Sequence, residues 1–262
     1  IMSGKYGIKT GVSGVPGNLD TSHVSLFKQL NKLPNDPYAG AVIGKWHISQ
    51  PSNPNHPTEH GVDYYTGYIS AAPAAYDNWQ KTFEGVTQTE TDYVTSVITD
   101  SAISWVDRQT KPWFLWLAHA APHSPIHVPP SHLHTQTNTN GNIRKYFAMI
   151  EAMDTEINRL LNSMSQAERD NTIIIYMGDN GTPGNILRDY PTGHGKGTLY
   201  QGGIRVPMFI SGKGVTRKGE RESALVNVND LYATILELAG DTLSGGIYNS
   251  LSFKHLLDGS AG

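Results

Sequence analysis

Four short apolar runs, separated by stretches of helical periodicity, most constrain what this chain folds into. They lie at 38–43, 113–118, 172–177 and 206–210. Runs of this length, rich in branched and aromatic side chains, are typical of strands buried on both faces. Apolar side chains recur at helical spacing between them, over 22–32, 91–107, 142–164 and 229–240. Asn229 or Asp230 can cap the last of these helices, and Gly240 ends it. The alternation predicts an α/β fold whose mostly parallel sheet is sandwiched by helices.

Polar sequences containing glycine or histidine lie at or near the ends of the predicted strands. They are GKWH at 44–47, HAAPH at 119–123, GDNG at 178–181 and, shortly before the last strand, GHGKGTLYQGG at 193–203. In open parallel sheets, ligands bind outside the carboxyl ends of the strands. These four segments are therefore the candidate site.

Length and composition limit the class of protein. At 262 residues the chain could form one large domain or two small ones, and we expect a single domain over 1–262. A net charge of −3 excludes the strongly basic surface typical of nucleic-acid binding. The absence of cysteine excludes disulfides, thiolate metal sites and a cysteine nucleophile within these residues. No apolar run is long enough to span a bilayer.

Asp179 and Asn180 follow a predicted strand and are flanked by glycines. Carboxylate and amide oxygens are hard ligands suited to Ca²⁺ or Mg²⁺, and flanking glycines let the backbone fold closely around an ion. The same residues are also typical of turns, so an ordinary turn without a bound ion is the alternative.

Lys45 and His47 flank Trp46 after the first run. If this segment stays extended, period-two alternation sends Lys45 and His47 to one side and Trp46 to the core. A cation and a proton donor would then face one ligand. The alternative is a solvated lysine beside a surface histidine.

A histidine-rich tract follows the second run. It contains His119, His123, His127, His132 and His134. Clustered imidazoles can bind zinc, but the interspersed prolines forbid a regular helix, so the even spacing does not place these rings on one helical face. A single histidine acting as an acid or an anion ligand is the interpretation that remains.

Lys196 lies among glycines, next to His194. Glycines allow a ligand to approach the backbone closely, and a lysine held there is a point charge for a phosphate or sulfate oxygen. The segment is not a Walker A loop, because the required spacing is absent. Elsewhere, a Gly/Tyr-rich stretch could stack on a sugar or aryl ring, although packing is the expected role of its aromatic side chains, Tyr64, Tyr65, Tyr68 and Trp79.

Taken in order, GKWH, HAAPHSP, GDNG and GKGTLYQGGIRVP resemble the motifs of the sulfatase family, within the alkaline phosphatase superfamily. SGKYGIKTGV near the start is similar to the GRYPHRTGV-type segment that follows that family's nucleophile, and NVNDLYATILELAG near the end is similar to its DLYPTLLDLAG-like helix. The resemblance covers nearly the whole chain. It implies an alkaline phosphatase-like fold and hydrolysis of sulfate esters R–O–SO₃⁻ through a covalent sulfated intermediate.

The resemblance also implies ligand-binding roles. Asp179 and Asn180 match ligands of a divalent cation, usually Ca²⁺, with Mg²⁺ as the other choice. Lys45 and Lys196 match residues that bind sulfate oxygens and stabilise the charge that grows on them as the S–O bond breaks.

Three histidines receive roles in the same way. His123 matches the acid that protonates the leaving oxygen. His47 would hold the second hydroxyl of the nucleophile or help the sulfated intermediate to collapse. His194 has no firm counterpart, and we expect it beside the substrate-binding residues.

One family feature is missing from these residues. The nucleophile is a formylglycine made within a Cys/Ser-x-Pro-x-Arg signature, and no such signature occurs here. The expectation is a partial catalytic domain, with the signature and the remaining metal-binding aspartates upstream of Ile1, without the smaller C-terminal subdomain, and inactive by itself.

Two alternatives stay open. One is a phosphodiesterase or phosphonate monoester hydrolase of the same superfamily, and the other is a non-catalytic protein that binds sulfated ligands. The substrate suggested by the resemblance is a sulfate ester, with a sulfated carbohydrate as one candidate. The suggested location is extracytoplasmic, either periplasmic or secreted.

Overall fold

The computed structural model describes residues 1–12, 14, 17–35 and 37–260. Its strands are β1 Ala39–Lys45, β2 Tyr64–Tyr68, β3 Trp79–Phe83, β4 Val86–Glu90, β5 Trp113–Ala118, β6 Ile173–Met177 and β7 Met208–Gly212. Its helices are α1 Gly7–Thr10, α2 Leu26–Leu30, α3 His56–Glu59, α4 Val94–Asp107, α5 Asn142–Ser163, α6 Gln166–Asp170, α7 Gln201–Ile204, α8 Asp230–Leu238 and α9 His255–Asp258.

The chain divides into two compact units. The first unit comprises 1–125, 221–256 and 260, and the second comprises 126–220 and 257–259. A single domain over the whole chain stays a prediction, and each unit is described by itself.

The first unit contains a five-stranded sheet in the order β4-β3-β2-β1-β5. The central strand β1 runs parallel to both β2 and β5, while β3 is antiparallel to β2 and to β4. Four of the five strands therefore run in one direction. This mixed, mostly parallel sheet with helices agrees with the predicted fold class.

Helix α2 joins two parts of the core of the first unit. Phe27 packs in one cluster with Val42 of β1 and Tyr65 of β2. Leu26 and Leu30 pack in a second cluster, with Tyr232 and Leu236 of α8. The apolar stripe predicted for this helix is therefore its buried surface.

The second unit contains α5 and a two-stranded sheet. Strands β6 and β7 are antiparallel, with Ile175 opposite Ile210. This corrects one part of the prediction, because the runs 172–177 and 206–210 pair with each other in a separate antiparallel sheet and do not join the mostly parallel sheet. Parallel neighbours need a crossover connection, usually a long helix, whereas the segment between these strands contains only the four-residue α7.

Strands β2, β3 and β4 were not predicted. They are short, and their sequences YYTGY, WQKTF and VTQTE lack a continuous apolar run. Glu84 and Gly85 join β3 to β4 with φ values of +44° and +80°, the conformation of a tight hairpin turn. Tyr65, Tyr68 and Trp79 are buried, which confirms packing as the role of these aromatic side chains.

Helix α2 is shorter than the predicted 22–32. The Ser25 hydroxyl accepts a hydrogen bond from the Lys28 N–H at 3.0 Å, which fixes the first turn at Leu26. Asn229 is the N-cap of α8, as predicted, although its side chain makes no capping bond. Gly240, just past the end of α8, has φ +98° and so ends the helix as expected.

Candidate active site

The carboxyl ends of β1 and β5 lie side by side and carry the first candidate residues. The register pairs Gly44 with Ala118, so the next residues, Lys45 and His119, lie at the same edge. Gly44 has φ +113°, and a Cβ there would lie 2.0 Å from the Ala118 carbonyl oxygen. The glycine therefore lets the two strands approach closely at the edge where the site begins.

Trp46 lies in the core, with 6% of its surface exposed, as the alternation predicts. The alternation does not continue to His47, because β1 ends at Lys45. His47 adopts a left-handed backbone, with φ +45°, and its N–H donates to the Ile69 carbonyl at 3.1 Å. The extended geometry that would point Lys45 and His47 to one side is therefore absent, although both residues are half-buried at this edge.

His123 is held by its own loop and by a distant tyrosine. The ring Nδ1 lies 2.9 Å from the Ser124 carbonyl oxygen, which only accepts, so Nδ1 carries a proton and Nε2 is the nitrogen that can exchange one with a ligand. The His123 carbonyl accepts from the Tyr76 hydroxyl at 2.8 Å, and burial raises the pKa of Tyr76, which keeps the phenol protonated. Tyr76 was missed in the sequence because 47 residues separate it from His123.

The other histidines of the tract differ in their surroundings. Both ring nitrogens of His119 are shielded from solvent and lack a hydrogen-bond partner among the described residues. Burial lowers the pKa of His119 to about 4, so the ring is neutral at pH 7. His132 is exposed on the surface. Over the described part of the chain, no group of three or more metal-ligating side chains is arranged to hold an ion.

In the second unit, backbone hydrogen bonds hold three glycine-containing segments together. The Gly181 N–H donates to the Gly203 carbonyl at 3.0 Å, and the Lys196 N–H donates to the Thr182 carbonyl at 2.8 Å. A Cβ on Gly181 would lie 2.0 Å from the Gly202 carbonyl oxygen. The GDNG turn, the Lys196 loop and α7 therefore form one closely packed substructure.

Asp179, Asn180 and Lys196 are exposed on this substructure. The Asn180 Nδ2 donates to the Gly181 carbonyl at 3.2 Å, which leaves the amide oxygen as the acceptor of this side chain. Asp179 also acts on Tyr146 of α5. Burial raises the pKa of this tyrosine, and the negative charge of Asp179 raises it further. A carboxylate, an amide and an ammonium group are thus carried by neighbouring turns of one unit.

The His194 ring stacks on Tyr200, with 3.6 Å between ring centroids and 6° between planes. Its backbone N–H donates to the Pro191 carbonyl at 3.1 Å. These contacts brace the loop that carries Lys196. The expected place of His194 beside the substrate-binding residues stays a prediction.

Comparison with known proteins identifies the family. The sequence profile described as Sulfatase matches residues 1–241 of this chain. The chain belongs to the sulfatase family. It is 30% identical to mouse Arylsulfatase J, over 91% of this chain and 43% of that protein. It is 32% identical to Uncharacterized sulfatase YdeN of Escherichia coli K12, over 78% of this chain and 42% of that protein. The chain thus spans less than half the length of these two relatives.

A solved structure agrees with this assignment. Ps i-CgsB in complex with k-i-k-neocarrahexaose has a TM-score of 0.77 and 26% identity, over 91% of this chain and 59% of that chain. The fold is therefore the alkaline phosphatase-like fold of sulfatases.

The candidate residues of this sulfatase chain fall into two sets, one in each unit. The first unit carries Lys45, His47 and His123. The second unit carries Asp179, Asn180, His194 and Lys196.

The donor chemistry of Asp179 and Asn180 fits part of a hard-cation site. They offer one carboxylate and one amide oxygen on an exposed turn, whereas Ca²⁺ takes about six to eight oxygen ligands. These two residues would supply only part of the coordination sphere.

Proposed function

We propose that the protein to which this chain belongs is a sulfuric ester hydrolase that acts on the sulfate ester of a carbohydrate. The observation that carries the proposal is the placement of Lys45 and the His119–His123 segment at the paired ends of β1 and β5, in a chain of the sulfatase family. A cation and a proton donor at one sheet edge suit an anionic ester whose leaving oxygen must be protonated.

Lys45 and Lys196 would bind non-bridging sulfate oxygens. Negative charge on these oxygens increases as the bond between sulfur and the bridging oxygen breaks, so fixed ammonium groups stabilise the transition state more than the ground state. The loop around Lys196 supports this role, because its backbone is fixed by hydrogen bonds before a ligand arrives.

His123 would donate its Nε2 proton to the bridging oxygen, so that the sugar leaves as an alcohol. The bond from Nδ1 to the Ser124 carbonyl supports this role, because it leaves Nε2 to exchange a proton with a ligand. His47 would hold or deprotonate the hydroxyl of the nucleophile.

Asp179 and Asn180 would supply two ligands to a divalent cation, Ca²⁺ or Mg²⁺. When bound, such an ion supplies positive charge beside the sulfate oxygens and the nucleophile.

The nucleophile in this proposal is a formylglycine, and its Cys/Ser-x-Pro-x-Arg signature is absent from the 262 residues. Two lysines and an acid cannot replace a nucleophile, so we expect the isolated chain to be inactive.

A carbohydrate substrate is proposed from one structural relative, which was solved in complex with k-i-k-neocarrahexaose. We also infer an extracytoplasmic location, from the family alone. In the described ranges, no helix combines the length and apolar character needed to cross a bilayer.

The test compares three classes of ester as substrates of the product of the complete reading frame. We expect 4-nitrophenyl sulfate to be hydrolysed faster than bis-4-nitrophenyl phosphate and phenylphosphonate esters, and the 262-residue chain to hydrolyse none of them. A faster phosphodiester or phosphonate rate would replace the proposal with the second enzyme class. No turnover, together with a reading frame that lacks the nucleophile signature, would favour a non-catalytic binder of sulfated ligands.

A further inference from the structure

Two buried histidines, His56 and His60, lie outside the sequences that form the candidate site. Their exposed fractions are 2% and 0%, and their ring centroids are 4.5 Å apart. Both belong to the first unit, at the two ends of α3. Buried polar groups are normally hydrogen-bonded, so the bonds of this pair indicate what it does.

The hydrogen bonds of His56 fix its protonation state. Its Nε2 lies 2.8 Å from the Leu19 carbonyl oxygen, which only accepts, so Nε2 carries a proton. Its Nδ1 lies 3.0 Å from Nε1 of Trp46, whose indole N–H only donates, so Nδ1 carries none. A second proton on His56 would face the indole N–H and break that bond.

His60 is held neutral by a related arrangement. Its Nε2 lies 3.3 Å from the same Leu19 oxygen, and its buried Nδ1 has no partner among the described residues. Burial is the main cause that lowers the pKa of His60 to about 4. The charges of His56 and Lys28 act in the same direction, while the Leu19 bond and Glu59 oppose it.

The same network reaches the turn after β1. The indole of Trp46 is fixed by His56 and packs edge-on against Tyr65, with 6.1 Å between ring centroids. The Leu19 N–H donates to the Ile48 carbonyl at 2.9 Å, so the acceptor shared by the two histidines is itself tied to this turn.

We propose that His56 and His60 form an acid-sensitive clasp that positions Trp46 and, through it, its two neighbours, Lys45 at the end of β1 and His47 in the turn that follows. At neutral pH both rings are uncharged and the bonds to Leu19 and Trp46 hold. As the pH falls, either ring gains a proton only by leaving its buried position. His56 accepts a hydrogen bond from Trp46, and His60 packs against Trp46 with 6.2 Å between ring centroids, so the departure of either ring releases Trp46. His56 and His60 are positioning residues. The clasp itself does not depend on the proposed function. Any effect of the clasp on sulfate binding by Lys45 does rest on the proposed function.

The charged and titratable groups around the clasp set the direction of its pH dependence. Lys28 of α2 opposes protonation of both rings, and Glu59 favours it. The charges of His23 and His60 both act to lower the pKa of Asp20, after the larger effect of its bonds to Ser22. Burial raises the pKa of Tyr65, so that phenol stays neutral in this range.

Because the folded-state pKa of His60 lies below its ordinary value, the unfolded chain binds the extra proton more readily. The contribution of His60 to stability is therefore complete above about pH 6.5 and is lost as the pH falls toward 4. At pH 5, pKa values of 6.5 and about 4 correspond to a roughly 30-fold decrease in the folding equilibrium constant from His60 alone.

The test follows hydrogen exchange at tryptophan indoles of the ¹⁵N-labelled 262-residue chain. Trp79 is the internal reference, since its indole donates to the Asp92 carbonyl at 3.0 Å without a histidine. Trp46→Phe assigns the Trp46 signal. Between pH 7.5 and 5, we expect exchange at Trp46 to accelerate at least tenfold relative to Trp79. A constant ratio, whether both indoles stay protected or both open, would overturn the clasp.

A variant isolates the titration. His60→Gln keeps an N–H donor for Leu19 but cannot gain a proton, so it should reduce the relative acceleration at Trp46 and flatten the pH dependence of unfolding. His132→Gln changes an exposed histidine and should alter neither. An acceleration of full size in His60→Gln would exclude His60 from the clasp. None of these readouts depends on sulfatase turnover, so the clasp and the proposed function can fail separately.

Discussion

Replacing Gly44 by alanine should destabilise the first unit at the sheet edge that carries Lys45. The backbone at Gly44 has φ +113°, a conformation that costs an L-residue about 1–3 kcal/mol. The new Cβ would also lie 2.0 Å from the Ala118 carbonyl oxygen, where ordinary contact begins near 3.4 Å. Relieving that overlap means moving β1 and β5 apart, and overpacking of this kind costs about 1–3 kcal/mol. The two effects together predict a loss of about 2–6 kcal/mol in the free energy of unfolding.

Urea denaturation followed by tryptophan fluorescence measures this loss selectively. All five tryptophans lie in the first unit, so the signal reports the unit that contains Gly44. Gly245→Ala is the matched control, because a Cβ there meets nothing within 4 Å. We expect the control to change stability by less than about 0.5 kcal/mol. Equal effects of the two substitutions would refute the close approach of β1 and β5 inferred here.

Three further predictions test the core, a helix cap and the proposed acid. Leu26→Ala removes a fully buried side chain and should lower the free energy of unfolding by about 2–5 kcal/mol, whereas Leu225→Ala, at a fully exposed position, should have little effect. Ser25→Ala removes both the cap of α2 and a buried hydrogen bond to the His60 carbonyl, so thermal melting should show a loss of roughly 1–3 kcal/mol. In the complete reading-frame product, His123→Gln should slow hydrolysis of an alkyl sulfate by about 10²–10⁴-fold but that of 4-nitrophenyl sulfate far less, because a good leaving group needs no acid; equal slowing of both substrates would argue against this role.

Much of the fold could be predicted from the sequence where local pattern and burial agree. The runs that became β1, β5 and β6 and the long stripes of α4 and α5 are such cases. Strands β2 to β4 were missed because none of them contains a continuous apolar run. Strand β2 is buried only through its place in the sheet, and β4 is largely exposed. The antiparallel pairing of β6 with β7 likewise depends on the path of the connecting chain.

The candidate site could likewise be predicted only in part from the sequence. Lys45 and His123 could be predicted because a glycine, a lysine and histidines lie at or just after the ends of apolar runs, and Lys196 because it lies among glycines shortly before the last run. The supporting contacts could not be found in this way, since Tyr76 reaches His123 across 47 residues. His56 and His60 belong to a polar, proline-rich segment that is typical of an exposed loop. Only the tertiary structure buries them against Trp46.

The most direct test of the proposed function is the effect of its two lysines on sulfate ester hydrolysis. In the complete reading-frame product, Lys45→Ala and Lys196→Ala should each lower kcat/KM for 4-nitrophenyl sulfate by about 10²–10³-fold, the usual loss when one transition-state charge partner is removed. Lys32→Ala and Lys218→Ala, which change exposed lysines outside the four motifs, should leave it within about twofold. Lysine variants that keep wild-type kcat/KM would contradict the assignment of these two residues to the sulfate site.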